Sequence, residues 1–389
     1  MLFKDIIGQD KIKKQLIENV KNGRIPHAQL FSGLTGYGSL AMAMAYAQYV
    51  NCENRGEEDS CGKCGNCYKY NNLQHPDLHF IFPINKSPHA VGSTDSGDIV
   101  SDNLIDKWRE IFNNSKPKGY FSLSSWYDVL ELSKNSQGTI SRAEANDLIE
   151  KLSFKSFEGG YTVVIIWLAE QMNESAANAL LKLFEEPADK TLFLFISHNS
   201  EKILKTIISR TQLVYIKPVD NNSVKEYVLS KGLNNYDSEN IAHLSQGDIC
   251  EAELLLEHLN SGELNENFNY FVSLMRLCFS VNYLALLPWA ESMAALGKEE
   301  QKEFLTYSIK LLRDSYSLTI GLSELTFTYN YETQFLQKFH PYVHHQNIEK
   351  LIEEFEKCSY HLSQNVNSKT VFTYFTLAVS KLIKLPDGK

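Results

Sequence analysis

The chain has 389 residues, 43% hydrophobic and 22% charged, with a formal net charge of −9. Such a length and composition fit a globular protein of two or three domains with a sizeable core. The acidic balance argues against a whole-surface electrostatic grip on DNA or on an anionic membrane, and no apolar run reaches the roughly 20 residues that span a bilayer. Met1-Leu2-Phe3-Lys4-Asp5 does not read as a secretory leader, so the cytoplasm is the expected location.

The first element is an amphipathic helix after Gly8-Gln9, with Ile12, Leu16 and Val20 on one face. Arg24-Ile25-Pro26-His27-Ala28 then leads into a short apolar strand. His27 is a candidate catalytic histidine, but a histidine beside a buried strand is more often hydrogen-bonded structure. The strand runs into Gly33-Leu34-Thr35-Gly36-Tyr37-Gly38-Ser39-Leu40, followed by a helix carrying Ala41, Ala43, Ala45 and Ala47. A phosphate-binding loop has this layout, with glycines whose N–H groups cradle phosphates, then a lysine, then a hydroxyl for magnesium. Ser39 stands where the lysine belongs and Leu40 where the hydroxyl belongs. The loop is therefore degenerate: it keeps the shape and lacks the charge and the metal ligand.

Four of the seven cysteines cluster as Cys52, Cys61, Cys64 and Cys67. The two x2 spacings let thiolates converge on one ion, so a closed structural zinc site is expected over two disulfides or a redox cluster. His75, Asp77 and His79 offer a second metal set, against the plainer reading of a loop capped by Asp77 and a strand through Leu78-His79-Phe80-Ile81-Phe82. Residues from Pro83 to about Gly138 read as an insertion with no assignable role. Loops are expected at Lys86-Ser87-Pro88-His89, Gly92 to Gly97 and Asn113 to Gly119, and a helix around Trp108. Ser141 and Glu144 read as a capping box opening a helix through Leu148 and Leu152. The run Tyr161-Thr162-Val163-Val164-Ile165-Ile166 is the mark of a strand buried on both faces. In an ATPase such a strand ends in an aspartate that holds Mg²⁺ and a glutamate that polarises water. Here Trp167 and Leu168 take those places.

Asn178-Ala179-Leu180-Leu181-Lys182-Leu183-Phe184-Glu185-Glu186-Pro187, then Phe193-Leu194-Phe195-Ile196, then Thr206-Ile207-Ile208-Ser209-Arg210 resemble the AAA+ subunits of the bacterial DNA polymerase III clamp loader. With Ile7-Gly8-Gln9, His27-Ala28 and the four-cysteine insertion, the resemblance covers roughly the first 220 residues. The degenerate loop and the lost acidic pair point within that family to its delta-prime branch, which lacks ATPase activity. The resemblance implies an α/β AAA+ core at 1–217, with the zinc module at about 52–67 and the insertion at about 83–138. A small helical lid at 218–262 and an α-helical collar at 263–389 would follow it.

It implies further that Arg210, within Ser209-Arg210-Thr211, is an arginine finger for ATP on a neighbouring subunit. The alternative for Arg210 is a salt bridge closing the strand end. Ser197, His198 and Asn199 span the first sensor position. Ile249, Cys250 and Glu251 follow Gly247-Asp248 where the lid usually places an arginine. Amphipathic patterns such as Phe304, Ile309 and Leu312, or Ile352, Phe355 and His361, carry the C-terminal helices. Zinc is the implied cofactor, with no ATP hydrolysis expected. Gamma/tau and delta subunits are the implied partners, and the sliding clamp and primer-template DNA would be met through the complex. An enzyme reading, an active AAA+ ATPase of replication or recombination with an aberrant loop, competes with this one.

Overall fold

The computed structural model describes residues 1–85, 99–132, 138–154, 156–261, 266–280, 283–323, 326–364 and 366–385. Lys86 to His89 and Gly92 to Gly97, read above as loops, lie outside them. Contacts divide the chain into two compact units, Met1–Leu255 and Leu256–Lys389. Among the described residues no helix is long and apolar enough to cross a membrane.

The first unit is built on five parallel strands: β1 (Ala28–Ser32), β2 (Leu78–Ile81), β3 (Thr162–Trp167), β4 (Thr191–Ser197) and β5 (Gln212–Tyr215). Their order is β2-β3-β4-β1-β5, a parallel α/β sheet as the sequence resemblance implies. In register, Phe31 of β1 pairs with Ile196 of β4, and Ile166 of β3 with Phe195 of β4. Val163 to Trp167 and all of β4 are buried, as continuous β-branched and aromatic runs require when helices cover both faces.

Helix α1 (Asp10–Lys21) buries Leu16, Ile17 and Val20. Helix α2 (Ser39–Asn51) is buried along its whole length, which its four alanines permit by letting neighbours approach closely. Its Gln48 and Asn51 side chains are paired rather than solvated. Gln48 donates to Ser60 Oγ at 3.2 Å, and Asn51 donates to Tyr70 Oη at 2.6 Å and accepts the Tyr161 N–H at 2.7 Å. The cysteine module with α3 (Gly65–Asn71) is thereby tied to α2 and to the start of β3.

Described parts of the insertion form α4 (Ile105–Asn114) and α5 (Leu123–Val129). Asn113 and Asn114, read as loop, complete the last turn of α4. The insertion supplies an aromatic cluster centred on Trp108, whose ring lies 4.4 Å from Phe82, 5.4 Å from both Phe121 and Trp126, and 5.2 Å from Trp167. Trp126 Nε1 donates to the Pro83 carbonyl at 2.9 Å. Aromatic pairs of this kind add about 0.5–1.5 kcal/mol each beyond the area they bury.

The remaining helices of this unit are α6 (Arg142–Leu152), α7 (Glu174–Glu185), α8 (Lys205–Ile208), α9 (Asn221–Ser230), α10 (Asn235–Leu244) and α11 (Ile249–Ser261), the last running across the division between units. The expected capping box at α6 is absent. Ser141 Oγ has no partner and makes no cap, while the Glu144 carboxylate turns inward and accepts the Ser101 N–H at 2.8 Å. Satisfying a buried insertion backbone outweighs a cap that water can replace.

The second unit packs α12 (Glu266–Ser280), α13 (Tyr283–Ala295), α14 (Lys298–Thr319), α15 (Asn330–Phe339), α16 (Ile348–Ser363) and α17 (Ser368–Leu382) around Phe271, Phe304, Leu311, Leu336, Phe355 and Phe372. Phe304 and Leu312 lie in this core, as does Phe355, but His361 is exposed and the buried line of α16 continues instead through Cys358 and Leu362.

Burial pushes the Glu144 carboxyl up from 4.5 to about 7, opposed by the hydrogen bonds from Ser101 and by Lys151. Between those values the folded chain holds a proton that the unfolded chain has lost, so this group's contribution falls as pH rises through the window and is flat above it. Glu144→Gln should remove that slope. The stability difference, wild type minus variant, should drop by up to about 3 kcal/mol from pH 4.5 to pH 7 in urea titrations; parallel profiles would contradict the assignment.

Candidate nucleotide pocket and metal centre

At the C-terminal end of β1 the chain passes through Gly33 to Gly38 into α2. Gly36 and Gly38 have φ of 74° and 92°, a region that non-glycine residues rarely enter, and Gly38 precedes the first turn of α2. The glycine loop therefore has the shape its sequence implies. What lies against it is protein. A Cβ on Gly38 would stand 2.6 Å from Tyr120 Oη, and one on Gly36 would stand 1.7 Å from Asp248 Oδ1. The close approach that glycines normally give to a phosphate is used here by a phenol and a carboxylate.

Tyr120 and Phe121 enter from the insertion. Tyr120 is 4% exposed, and its hydroxyl accepts the Ile7 N–H at 3.3 Å. Burial raises its pKa, so the phenol is neutral. Phe121 packs 5.3 Å from Trp167, the residue at the strand position where the magnesium-binding aspartate is expected. The space left among these groups is about 20 Å³, room for one water, against roughly 300–1,000 Å³ for small-molecule sites. Ser39 is 4% exposed with no partner for its hydroxyl among the described residues, and Leu40 is 5% exposed. Among the described residues no lysine or arginine lines the cavity. Burial keeps the Asp248 carboxyl above its usual range, and the Ile249 N–H donates to the Gly36 carbonyl at 3.1 Å, fixing the start of α11 on the loop.

The four clustered cysteines converge. The Sγ atoms of Cys52, Cys61, Cys64 and Cys67 all lie within 4.8 Å of one another, and Cys61 and Cys67 are 3.9 Å apart. Tetrahedral bonds of ~2.3 Å place sulfurs roughly 3.8 Å apart, so the set can hold one metal ion. Backbone N–H groups of Lys63 and Cys64 point at Cys61 Sγ and lower its pKa to about 6, whereas burial raises the pKa of Cys52 and of Cys67.

A family model described as "DNA polymerase III, delta subunit" matches residues 8–220. The chain belongs to this DNA polymerase III delta-subunit family. Among relatives, a Bacillus subtilis DNA polymerase III subunit delta' is 24% identical over 315 residues, 80% of this chain and 78% of that one. A Haemophilus influenzae subunit tau/gamma is 23% identical over 226 residues, 58% of this chain and 25% of that one. A solved Thermotoga maritima gamma subunit-related protein aligns over 96% of this chain and 99% of its own at 13% identity, with a TM-score of 0.34, an overlap too loose to carry weight.

The other sequence candidates fall outside these two centres or at their edge. Arg210 is 34% exposed; it pairs with Glu185, donates to the Thr206 carbonyl at 2.8 Å and lies 3.3 Å from Ser209 Oγ. His27 Nε2 donates to the Phe184 carbonyl at 3.1 Å, a structural bond. His198 lines the filled cavity, where its Nδ1 lies 3.2 Å from Thr35 Oγ1 and its backbone N–H meets Glu170 at 3.0 Å. Ser197 is fully buried, and Asn199 accepts the Glu201 N–H at 3.2 Å. His75, Asp77 and His79 do not form a second metal group among the described residues. Asp77 instead accepts hydrogen bonds from Ser156 Oγ and the Phe157 and Glu158 N–H groups at 2.8–3.0 Å.

Tyr120, Phe121 and Asp248 were not singled out from the sequence. The one local signal was the aromatic pair after Gly119 in a segment without a role. Tyr120→Ala should destabilise the first unit by about 3 kcal/mol, and Tyr120→Phe by about 1 kcal/mol, in denaturant titrations. A Tyr120→Ala loss under 1 kcal/mol would mean that the ring does not fill the loop.

Proposed function

We propose that this chain is a non-hydrolysing, delta-prime type subunit of the DNA polymerase III clamp loader. It would act as a scaffold that helps gamma/tau and delta subunits place the sliding clamp on primed DNA. The observation that carries this reading is the filled pocket: the glycine loop is intact, yet Tyr120, Phe121 and Trp167 occupy the place of a nucleotide, and Ser39 and Leu40 offer neither lysine nor magnesium ligand. Family membership and the delta' relative support the assignment. The clamp and DNA would be reached through the assembled complex, in keeping with the net charge of −9.

In this reading the four cysteines hold zinc. An all-sulfur set with no position left for water suits a structural ion, which would fasten residues 52–67 against α2 and contribute folding energy directly. The purified chain should contain about one zinc, and Cys64→Ser should release it and lower the thermal midpoint. Equal stability with and without metal would refute the structural role.

Arg210 is the proposed finger. A guanidinium about one-third exposed at the end of α8 retains free donors while Glu185 holds it, and a planar, permanently charged group can stabilise charge on a phosphoryl group presented by a neighbouring subunit. In the reconstituted complex Arg210→Ala should lower ATP turnover by about tenfold or more with assembly intact. Glu185→Ala, which breaks the same ion pair and spares the guanidinium, should leave turnover near the unmodified rate. Equal effects of the two substitutions would make Arg210 a structural residue.

A further inference from the structure

A groove in the second unit, between α12, α15 and the end of α17, has chemistry that the clamp-loader reading does not use. Met275, Phe335, Phe339 and Ile383 line its apolar part, and Phe279 and Tyr342 stand at the rim, 47% and 42% exposed. The two rim rings meet edge to face at 4.8 Å. The space measures about 160 Å³, close to the ~150 Å³ apolar cavity that accepts a benzene ring. It therefore fits one aromatic or large aliphatic side chain.

The mouth is cationic. Arg276 and Lys338 line it, and Lys384 Nζ lies 5.8 Å from the centre of the Phe279 ring. All three are exposed, and among the described residues none makes an ion pair. The acidic residues on the three lining helices are Glu266, at the far end of α12, and Glu332, which is fully buried and engaged by Tyr307 Oη and the Tyr329 N–H. In a chain of net charge −9 this is a local positive field around an apolar slot. The apolar lining offers no hydrogen-bonding side chain to a nucleobase edge, whereas a peptide satisfies its own backbone outside the slot.

We propose that this groove docks an acidic segment of a partner protein, which inserts one aromatic side chain beside Phe279 and Phe339 and sets carboxylates against Arg276, Lys338 and Lys384. The buried ring would carry most of the affinity, and the rim cations would select for acidic flanks and speed encounter.

The test is fluorescence anisotropy on the full-length chain with a labelled short peptide of one phenylalanine between runs of aspartate. Saturable binding is expected that weakens as salt rises. It should fall by about tenfold or more in the folded double variant Arg276→Glu/Lys338→Glu, and likewise when alanine replaces the peptide's phenylalanine. Absence of saturation would overturn the proposal, as would equal binding of a lysine-flanked peptide or indifference to the double variant. Tighter binding of a single-stranded oligonucleotide through the same cations would assign the groove to nucleic acid. Self-association lost in the double variant would assign it to a second copy of the chain.

Discussion

The contact of Tyr120 with the glycine loop is the constraint on which the first unit depends. Gly38 at φ 92° holds a conformation that residues with side chains rarely adopt, and the Tyr120 hydroxyl lies 2.6 Å from where its Cβ would stand. Behind the phenol, Phe121 and Trp167 join the Trp108 cluster, so the insertion, the end of β3 and the loop share one interior. A loop that cradles phosphate must be open and polar when empty. This one is nearly without free volume and closed from the other side by Asp248.

The replacement of a nucleotide by side chains has an energetic logic. In a working ATPase the free energy that joins loop, strand end and lid comes partly from the bound nucleotide and its metal. Here those regions are joined by hydrogen bonds within the chain: the Ile249 N–H on the Gly36 carbonyl, and the Gln9 amide on the Tyr37 and Lys217 carbonyls at 3.1 and 2.6 Å. The arrangement is then independent of nucleotide concentration, which suits the non-hydrolysing role proposed above.

Much of this was legible in the chain. The β-branched run at 162–166, the glycine loop with Ser39 and Leu40, and the cysteine spacing each carry their signal within a few residues, and the structure places them as sheet, turn and converging thiols. The content of the pocket was not legible. Tyr120 meets Gly38 across 82 positions of chain, and no local pattern distinguishes an aromatic pair that fills a cavity from one that packs elsewhere. The failure of the Ser141–Glu144 capping box has the same origin: local spacing suggested a cap, and a long-range demand from the Ser101 N–H took the carboxylate. Asp77 likewise cannot be told from a metal ligand until the 156–158 backbone is seen to need it.

In this chain protein occupies the place that a nucleotide takes in a working ATPase. Calorimetric titration of the purified, zinc-replete chain with ATP and with ADP, each with magnesium, tests it most directly. A pocket already filled by Tyr120 and Phe121 should give no saturable heat up to about 1 mM nucleotide. Stoichiometric binding in the micromolar range would show that the aromatic pair yields to nucleotide, and would contradict the account.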